Sequence, residues 1–258
     1  MTAAPLAALR VPVKLLGLGL LIVAIAPAQA VLLLFSRGPA SMRLPPLFHR
    51  GMCALLGLRV ELAGAPVPAV QAVFIGNHLS YLDIPAIGSV LSACFVAKDE
   101  VRGWPVFGAL ARLQHTVFIS RKARDAHAAA GELSTALAAG HRLVLFPEGT
   151  TSDGSAVLPF KSSIFALLAD PAMAHVQLQP ISLELLEVDG RGIGGAGQRD
   201  HYAYYGDMHL VPHLLAFMRL SGAHLRIHFH APLPRQAAES RKQLAARAYQ
   251  AVVQVASG

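Results

Sequence analysis

The chain has 258 residues, of which 54% are hydrophobic and 14% are charged, and its formal net charge at pH 7 is +7. Because disordered chains combine low hydrophobicity with many charges, this composition predicts a folded protein with a buried core. The two cysteines, Cys53 and Cys94, are too few for a disulfide framework and lack the spacing of a zinc site, and we expect both thiols to be reduced.

The positive charge is spread along the chain and is not gathered into a basic stripe with interleaved aromatic residues. A nucleic-acid partner is therefore not expected. Two interpretations of the charge remain. It can attract anionic lipid headgroups or an acidic carrier protein, or it can simply keep a very apolar chain soluble.

The first element in the chain is an apolar run over residues 15–35, which contains 21 residues and no charge. As a helix with a rise of about 1.5 Å per residue, it would span roughly the 30 Å hydrocarbon core of a bilayer. Pro27 interrupts the helical hydrogen bonds near its middle, which favours a kinked span or a hairpin entering one leaflet, with residues 44–58 as an interfacial second leg. The alternatives are a signal peptide, because residues 28–30 resemble a cleavage site, and a buried core helix.

After this segment, short apolar runs alternate with helical stretches, which predicts an α/β domain with a mostly parallel sheet. We therefore divide the chain into membrane-associated helices over residues 1–58 and one domain over residues 59–258. The runs predicted to be buried strands are residues 72–76, 93–97, 116–120, 142–146 and 178–185. Helices are predicted over residues 123–139 and 235–255, and a flexible glycine-rich loop over residues 190–197.

Residues 223–230 alternate between apolar and polar side chains, which is the pattern of a half-buried edge strand. The polar positions include His224, His228 and His230. Three histidines on one strand face suggest a metal site, but no carboxylate or cysteine accompanies them in the sequence. We therefore predict no metal here.

The first turn that can carry chemistry follows strand 72–76 and contains His78 and Asp83. On a regular helix, residues five apart would point about 140° away from each other. A working pair therefore requires His78 on the turn and Asp83 inside the following helix, with Ser80 as the N-cap between them. Asp83 would then hold one imidazole nitrogen while the other removes a proton from a hydroxyl. The alternative is a capping turn with an incidental histidine.

The second such turn follows strand 142–146 and crowds polar groups onto a tight backbone. Its members, Glu148, Gly149, Thr150 and Thr151, can bind a polar headgroup through backbone N–H groups and hydroxyls, although a simple glycine-rich hairpin is the alternative. Arg121 comes just after strand 116–120, where it can contact an anion or extend its charged end to solvent.

In combination and order, these motifs resemble those of the glycerolipid acyltransferases typified by bacterial 1-acylglycerol-3-phosphate acyltransferases. The family's His-x4-Asp block matches the segment from Asn77, its strand ending in arginine matches the strand before Arg121, and its Phe-Pro-Glu-Gly-Thr block matches the segment from Phe146. A fourth block, a strand with a central proline, matches the strand around Pro180.

The resemblance implies an αβα acyltransferase domain in which His78 activates the acceptor hydroxyl and Asp83 orients His78. It implies a lysolipid acceptor, membrane lipids as partners, no metal and no bound cofactor. The donor would be a thioester of acyl carrier protein or coenzyme A, used at the cytoplasmic face of the cell membrane.

One departure from the family pattern concerns the acceptor. Thr151 stands where the family usually has an arginine that grips the acceptor phosphate. A hydroxyl in place of a permanently charged guanidinium predicts weaker phosphate binding. Residues 202–214 are also similar to the lyso-ornithine lipid acyltransferases, whose acceptor is a hydroxy-fatty-acyl amino acid, so both acceptors remain open.

Two other classes of function are weighed against acyl transfer. A lipid hydrolase would need a nucleophile such as the serine of Gly-x-Ser-x-Gly, a motif that the sequence lacks. A non-catalytic lipid-binding scaffold is disfavoured by the intact His78 and Asp83.

Overall fold

The computed structural model describes residues 3–68, 71–120, 126–236 and 238–256. Its helices are α1 (Ala3–Phe35), α2 (Pro45–Leu56), α3 (Asp83–Val90), α4 (Phe107–Leu113), α5 (Ala126–Ala138), α6 (Ala196–Arg199), α7 (Leu210–Arg219) and α8 (Arg241–Ala256). Its strands are β1 (Leu58–Ala63), β2 (Ala72–Gly76), β3 (Cys94–Lys98), β4 (Val117–Ile119), β5 (Leu143–Leu145), β6 (Gln177–Val188), β7 (Arg191–Gly192) and β8 (Ala223–Phe229).

Within the described residues, the strands form one sheet in the order β1-β8-β6-β2-β5-β3-β4, and β7 pairs with β6. The central strand β2 runs parallel to both of its neighbours, β5 and β6, whereas β8 runs antiparallel to β6. The predicted α/β class with a mostly parallel sheet is therefore confirmed.

Both faces of the sheet are covered, and β2 shows why its sequence is apolar throughout. Successive side chains of a strand point to opposite faces. Phe74 packs into a core with residues of α2, α3 and α7, while Val73 and Ile75 pack into a second core with residues of α5 and α8. A strand buried on both faces reads as a continuous apolar run.

The N-terminal helices pack against each other. Leu21 of α1 lies against Gly51 of α2, and Leu55 of α2 lies against Gly17 of α1, so the two helices are packed together, while the interfacial position of residues 44–58 stays a prediction. The helix α1 continues through Pro27, so the lost hydrogen bond does not end it, and a kink at that residue stays a prediction.

The outer surface of α1 is apolar. Its segment Leu9–Phe35 is long and apolar enough to cross a membrane by length and composition. Leu16, Val23, Leu34 and Phe35 are all exposed on it. Such a surface is typical of a helix that contacts lipid.

The predicted edge strand lies inside the sheet. β8 has the expected alternating burial, but it is flanked by β6 and by the unpredicted strand β1, which forms the edge. Alternation reports that one face is half exposed, and it does not report which strands pair. Carboxylates from other strands accompany these histidines in the fold, since Glu61 contacts His224 and Glu184 contacts His228. These carboxylates come from β1 and β6. In the described residues no group of three or more ligating side chains could hold a metal ion.

The other predictions differ from the structure mainly at their ends. The five predicted strands correspond to β2 through β6, and the C-terminal helix begins at Arg241, six residues after the predicted start. The predicted loop over residues 190–197 contains β7 and the start of α6. The first residues of predicted helix 123–139 lie outside the described residues, and the rest form α5. Cys53 and Cys94 are buried and unpaired.

Candidate active site

Two turns lie side by side because β2 and β5 are parallel neighbours, so both leave the sheet at the same edge. We call residues 77–83 the catalytic turn and residues 147–154 the glycine turn. The backbone N–H of His78 donates to Oε1 of Glu148 at 2.8 Å, and the N–H of Ser152 donates to the carbonyl of His78 at 3.0 Å. These bonds hold the two turns together.

The structure brings His78 and Asp83 together. Nδ1 of His78 lies 2.7 Å from Oδ2 of Asp83, the first residue of α3. Asp83 is fully buried, and the same oxygen accepts the backbone N–H groups of Leu79 and Ser80 at 2.7 and 3.0 Å. With Nδ1–H donated to the carboxylate, Nε2 is the nitrogen that can remove a proton from a hydroxyl.

The prediction that Ser80 caps α3 is wrong. The residue before α3 is Leu82, and Oγ of Ser80 is buried without a hydrogen-bond partner in the described part of the chain. The carboxylate of Asp83 takes the N–H groups of the turn in place of the serine hydroxyl. An ionised acceptor forms the stronger bond and also suits the N-terminus of a helix.

The imidazole of His78 is held in a fixed plane. Its ring stacks on Phe146 with the ring centres 4.0 Å apart and the planes 7° apart. The side chain of His78 remains 18% exposed, so part of the ring can meet a substrate. A ring fixed on one face and open at one edge suits a general base.

Asn77 anchors the start of the catalytic turn. Its Nδ2 donates to the carbonyl of Leu183 at 2.9 Å, and its Oδ1 accepts the N–H of Leu183 at 2.8 Å. Both groups are buried, so Asn77 extends the pairing between β2 and β6 by one residue with its side chain. The sequence motif includes Asn77, but its spacing does not reveal this role.

Glu148 is buried and supports the turns. Its Oε2 accepts the N–H of Leu158 at 3.1 Å, while its Oε1 binds His78 as described. Burial raises the pKa of Glu148 to about 7, and the nearby charge of Asp83 acts in the same direction. The structure therefore gives Glu148 a supporting position, and its contact with substrate stays a prediction.

The other predicted binding residues of the glycine turn lie at its surface. Thr150 is exposed and Thr151 is half-buried, whereas Arg121 lies outside the described residues. Gly149 has a φ of +69°, and a β-carbon added there would lie 2.6 Å from Nζ of Lys161. The structure thus places an ammonium group over the glycine turn. The sequence analysis missed Lys161, because one lysine in a polar loop has no distinctive spacing.

An open cavity of about 230 Å³ lies beside the catalytic turn, and Asn77 and Leu79 contribute to its wall. Charges of both signs line it, including Asp153 and Arg199. The N–H and hydroxyl of Ser155 lower the pKa of Asp153, and the charge of Arg199 acts in the same direction. The wall of the cavity therefore presents charges of both signs.

Comparison with known proteins assigns this chain to a family. The chain is 37% identical to a lyso-ornithine lipid O-acyltransferase of Brucella abortus over 79% of this chain and 78% of that protein. It is 35% identical to the enzyme of the same name from Rhizobium meliloti over 91% of this chain and 82% of that protein. The chain belongs to the lysolipid acyltransferase family. The family profile described as Acyltransferase matches residues 59–184.

Other relatives agree with this assignment. A 1-acyl-sn-glycerol-3-phosphate acyltransferase of Neisseria meningitidis is 33% identical over 55% of each chain. The crystal structure of the 1-acyl-sn-glycerophosphate acyltransferase PlsC from Thermotoga maritima superposes with a TM-score of 0.71, covering 99% of this chain and 96% of that one at 18% identity, which supports the fold. This lysolipid acyltransferase is therefore an enzyme that transfers an acyl group to a lysolipid, as predicted.

Proposed function

We propose that this lysolipid acyltransferase acylates the hydroxyl of lyso-ornithine lipid. The observation that carries the proposal is the share of each relative's length that matches this chain. Proteins named lyso-ornithine lipid O-acyltransferase match over 76 to 82% of their length, and the Neisseria meningitidis 1-acyl-sn-glycerol-3-phosphate acyltransferase over 55% of its length.

The proposed reaction uses the His78–Asp83 pair. Nε2 of His78 takes the proton of the acceptor hydroxyl while the hydroxyl oxygen attacks the thioester carbonyl of the donor. The tetrahedral intermediate then loses the sulfur, and the imidazolium of His78 returns the proton to the departing thiolate. Asp83 keeps the imidazole in the required tautomer and stabilises its charged form.

The charges near the site suit an ornithine headgroup, which carries one carboxylate and one ammonium. Lys161 over the glycine turn and Arg199 in the cavity can pair with the carboxylate, and Asp153 can pair with the ammonium. Thr151 leaves the glycine turn without the arginine that would favour a phosphate. A zwitterionic acceptor can therefore pair with protein charges of both signs at this site.

We further propose that the donor is a thioester of acyl carrier protein or coenzyme A and that the enzyme works at the cytoplasmic face of the cell membrane. The exposed apolar surface of α1 supports membrane attachment. The net charge of +7 favours an anionic membrane surface and an acidic carrier protein. Glu148, Gly149, Thr150, Thr151 and Arg121 remain the proposed contacts of the acceptor.

The test is an assay of the purified full chain in detergent with acyl carrier protein and coenzyme A thioesters. Each donor is combined with lyso-ornithine lipid or with lysophosphatidate. We expect a higher kcat/KM for lyso-ornithine lipid. A higher kcat/KM for lysophosphatidate would overturn the proposed acceptor, and transfer from neither thioester would overturn the proposed donors.

A further inference from the structure

Tyr202 reaches the catalytic pair from a distant part of the chain. It follows α6, it is fully buried, and its ring packs edge-to-face on Phe217 of α7. Its hydroxyl donates to Oδ1 of Asp83 at 2.8 Å. His78, Asp83 and Tyr202 therefore form a chain of three hydrogen-bonded side chains.

The bond from Tyr202 completes the surroundings of the Asp83 carboxylate. Oδ2 of Asp83 already accepts the imidazole of His78 and two backbone N–H groups, and Oδ1 accepts the tyrosine hydroxyl. Without that donor, Oδ1 would be a buried acceptor with no described partner, which is costly for an ionised group. The carboxylate of Asp83 would then rotate toward other donors, and this rotation would misalign its hydrogen bond to His78.

The hydroxyl of Tyr202 is a permanent donor. Burial and the charge of Asp83 raise the pKa of Tyr202 well above its ordinary value. The phenol therefore stays protonated throughout the working pH range. It also remains in place because the segment that carries it is attached to the catalytic turn, where the N–H of Tyr204 donates to the carbonyl of Leu79 at 2.9 Å.

We propose that Tyr202 is a positioning residue for acyl transfer, which holds the carboxylate of Asp83 in the orientation that His78 needs. The inference rests on the proposed roles of His78 and Asp83 and does not depend on the acceptor headgroup. Tyr202 acts through Asp83, because its buried hydroxyl is already engaged there.

The test uses Tyr202→Phe in the full-length enzyme, which removes the hydroxyl and keeps the packed ring. The matched control is Tyr205→Phe, since Tyr205 lies on the same segment and its hydroxyl binds Asp200 at 2.9 Å. We expect kcat to fall by about 10- to 100-fold for Tyr202→Phe, with little change in KM, because a bond to a buried charge is lost. Tyr205→Phe is expected to keep the wild-type kcat.

The pH profile provides a readout that a purely structural role would not change. A carboxylate that turns away from His78 no longer stabilises the protonated imidazole. The acid limb of the profile should therefore move to lower pH in Tyr202→Phe. Among the described residues, the other titratable groups that act on the pair and on Tyr202 are Glu148, Tyr81 and Cys53. These groups are present in the wild type and in the variants, so their ionisation does not account for a difference between the pH profiles.

A double variant distinguishes a failure of the positioning role from a failure of the proposed mechanism. In the His78→Ala background, Tyr202→Phe should cause no further loss, because there is no longer an imidazole to orient. If His78→Ala abolishes transfer but Tyr202→Phe retains the wild-type kcat and pH profile, the positioning role is wrong and the proposed mechanism stands. An additive loss in the double variant would also overturn the positioning role. Full activity of His78→Ala would overturn the proposed mechanism itself.

Discussion

The catalytic turn and the glycine turn follow neighbouring strands, yet they are built differently. In the catalytic turn, both oxygens of Asp83 and both side-chain groups of Asn77 are buried and hydrogen-bonded. In the glycine turn, Thr150 is exposed, and Gly149 requires a backbone conformation that other residues adopt at a cost. Under the proposed function, proton transfer depends on a fixed geometry, whereas acceptor choice depends on side chains that a single substitution can change.

The largest effect is expected from His78→Ala, which alters the catalytic turn. We expect a loss of activity on the order of 10² to 10⁴, because the proposed general base is removed. Asp83→Asn should have a comparable effect on kcat. His175→Ala, at an exposed position outside the site, is the control and should keep wild-type activity. Substantial activity in His78→Ala would exclude the proposed base.

Glu148 joins the two turns, and its ionisation can be followed through the pH dependence of the free energy of unfolding. A carboxyl with a raised pKa binds its proton more tightly in the folded state, so the wild-type enzyme should lose stability as the pH rises from 4.5 to about 7. The full shift corresponds to about 3 kcal/mol. Glu148→Gln cannot titrate, so its free energy of unfolding relative to wild type should increase across this range. Chemical unfolding in detergent at several pH values measures the difference. A constant difference would contradict the raised pKa.

Thr151→Arg tests the recognition side of the comparison. A guanidinium at this position should raise kcat/KM for lysophosphatidate relative to lyso-ornithine lipid by about 10- to 150-fold, the range expected for a charge-assisted contact. Thr135→Arg, on the exposed surface of α5, makes the same chemical change away from the site and should leave the ratio unchanged.

Arg121→Ala belongs in the same series. If wild type strongly prefers lysophosphatidate and only Arg121→Ala abolishes that preference, Thr151 does not set the headgroup and the phosphate acceptor stands.

The smallest expected effect is that of Gly149→Ala. The φ of +69° is unfavourable for alanine by about 1 kcal/mol, and the new methyl group would displace the ammonium of Lys161. We expect a modest loss of stability and an increase in KM for the acceptor, measured by thermal unfolding and steady-state kinetics. Gly131→Ala in α5 is the matched control and should stabilise the enzyme slightly, since open space surrounds that glycine. A wild-type KM in Gly149→Ala would place the acceptor elsewhere.

Much of the fold could be predicted from local patterns. A strand buried on both faces, such as β2, needs apolar residues at every position, and this run was found with both of its ends correct. The spacing of His78 and Asp83 predicted their geometry, because a turn followed by a helix is the local arrangement that brings them together. The predicted start of α8 and the predicted cap of α3 were wrong, since competing acceptors and packing decide where a helix begins.

The sequence by itself determined the α/β class, the pairing of His78 with Asp83 and the apolar N-terminal helix, because each depends on residues that are close together in the chain. Only the tertiary structure decided the place of β8 inside the sheet, the ammonium of Lys161 over the glycine turn and the bond from Tyr202 to Asp83. The last contact joins residues 119 positions apart. Such contacts have no local signature, because they arise when separate elements bury their apolar faces together and bring distant polar groups within hydrogen-bonding distance.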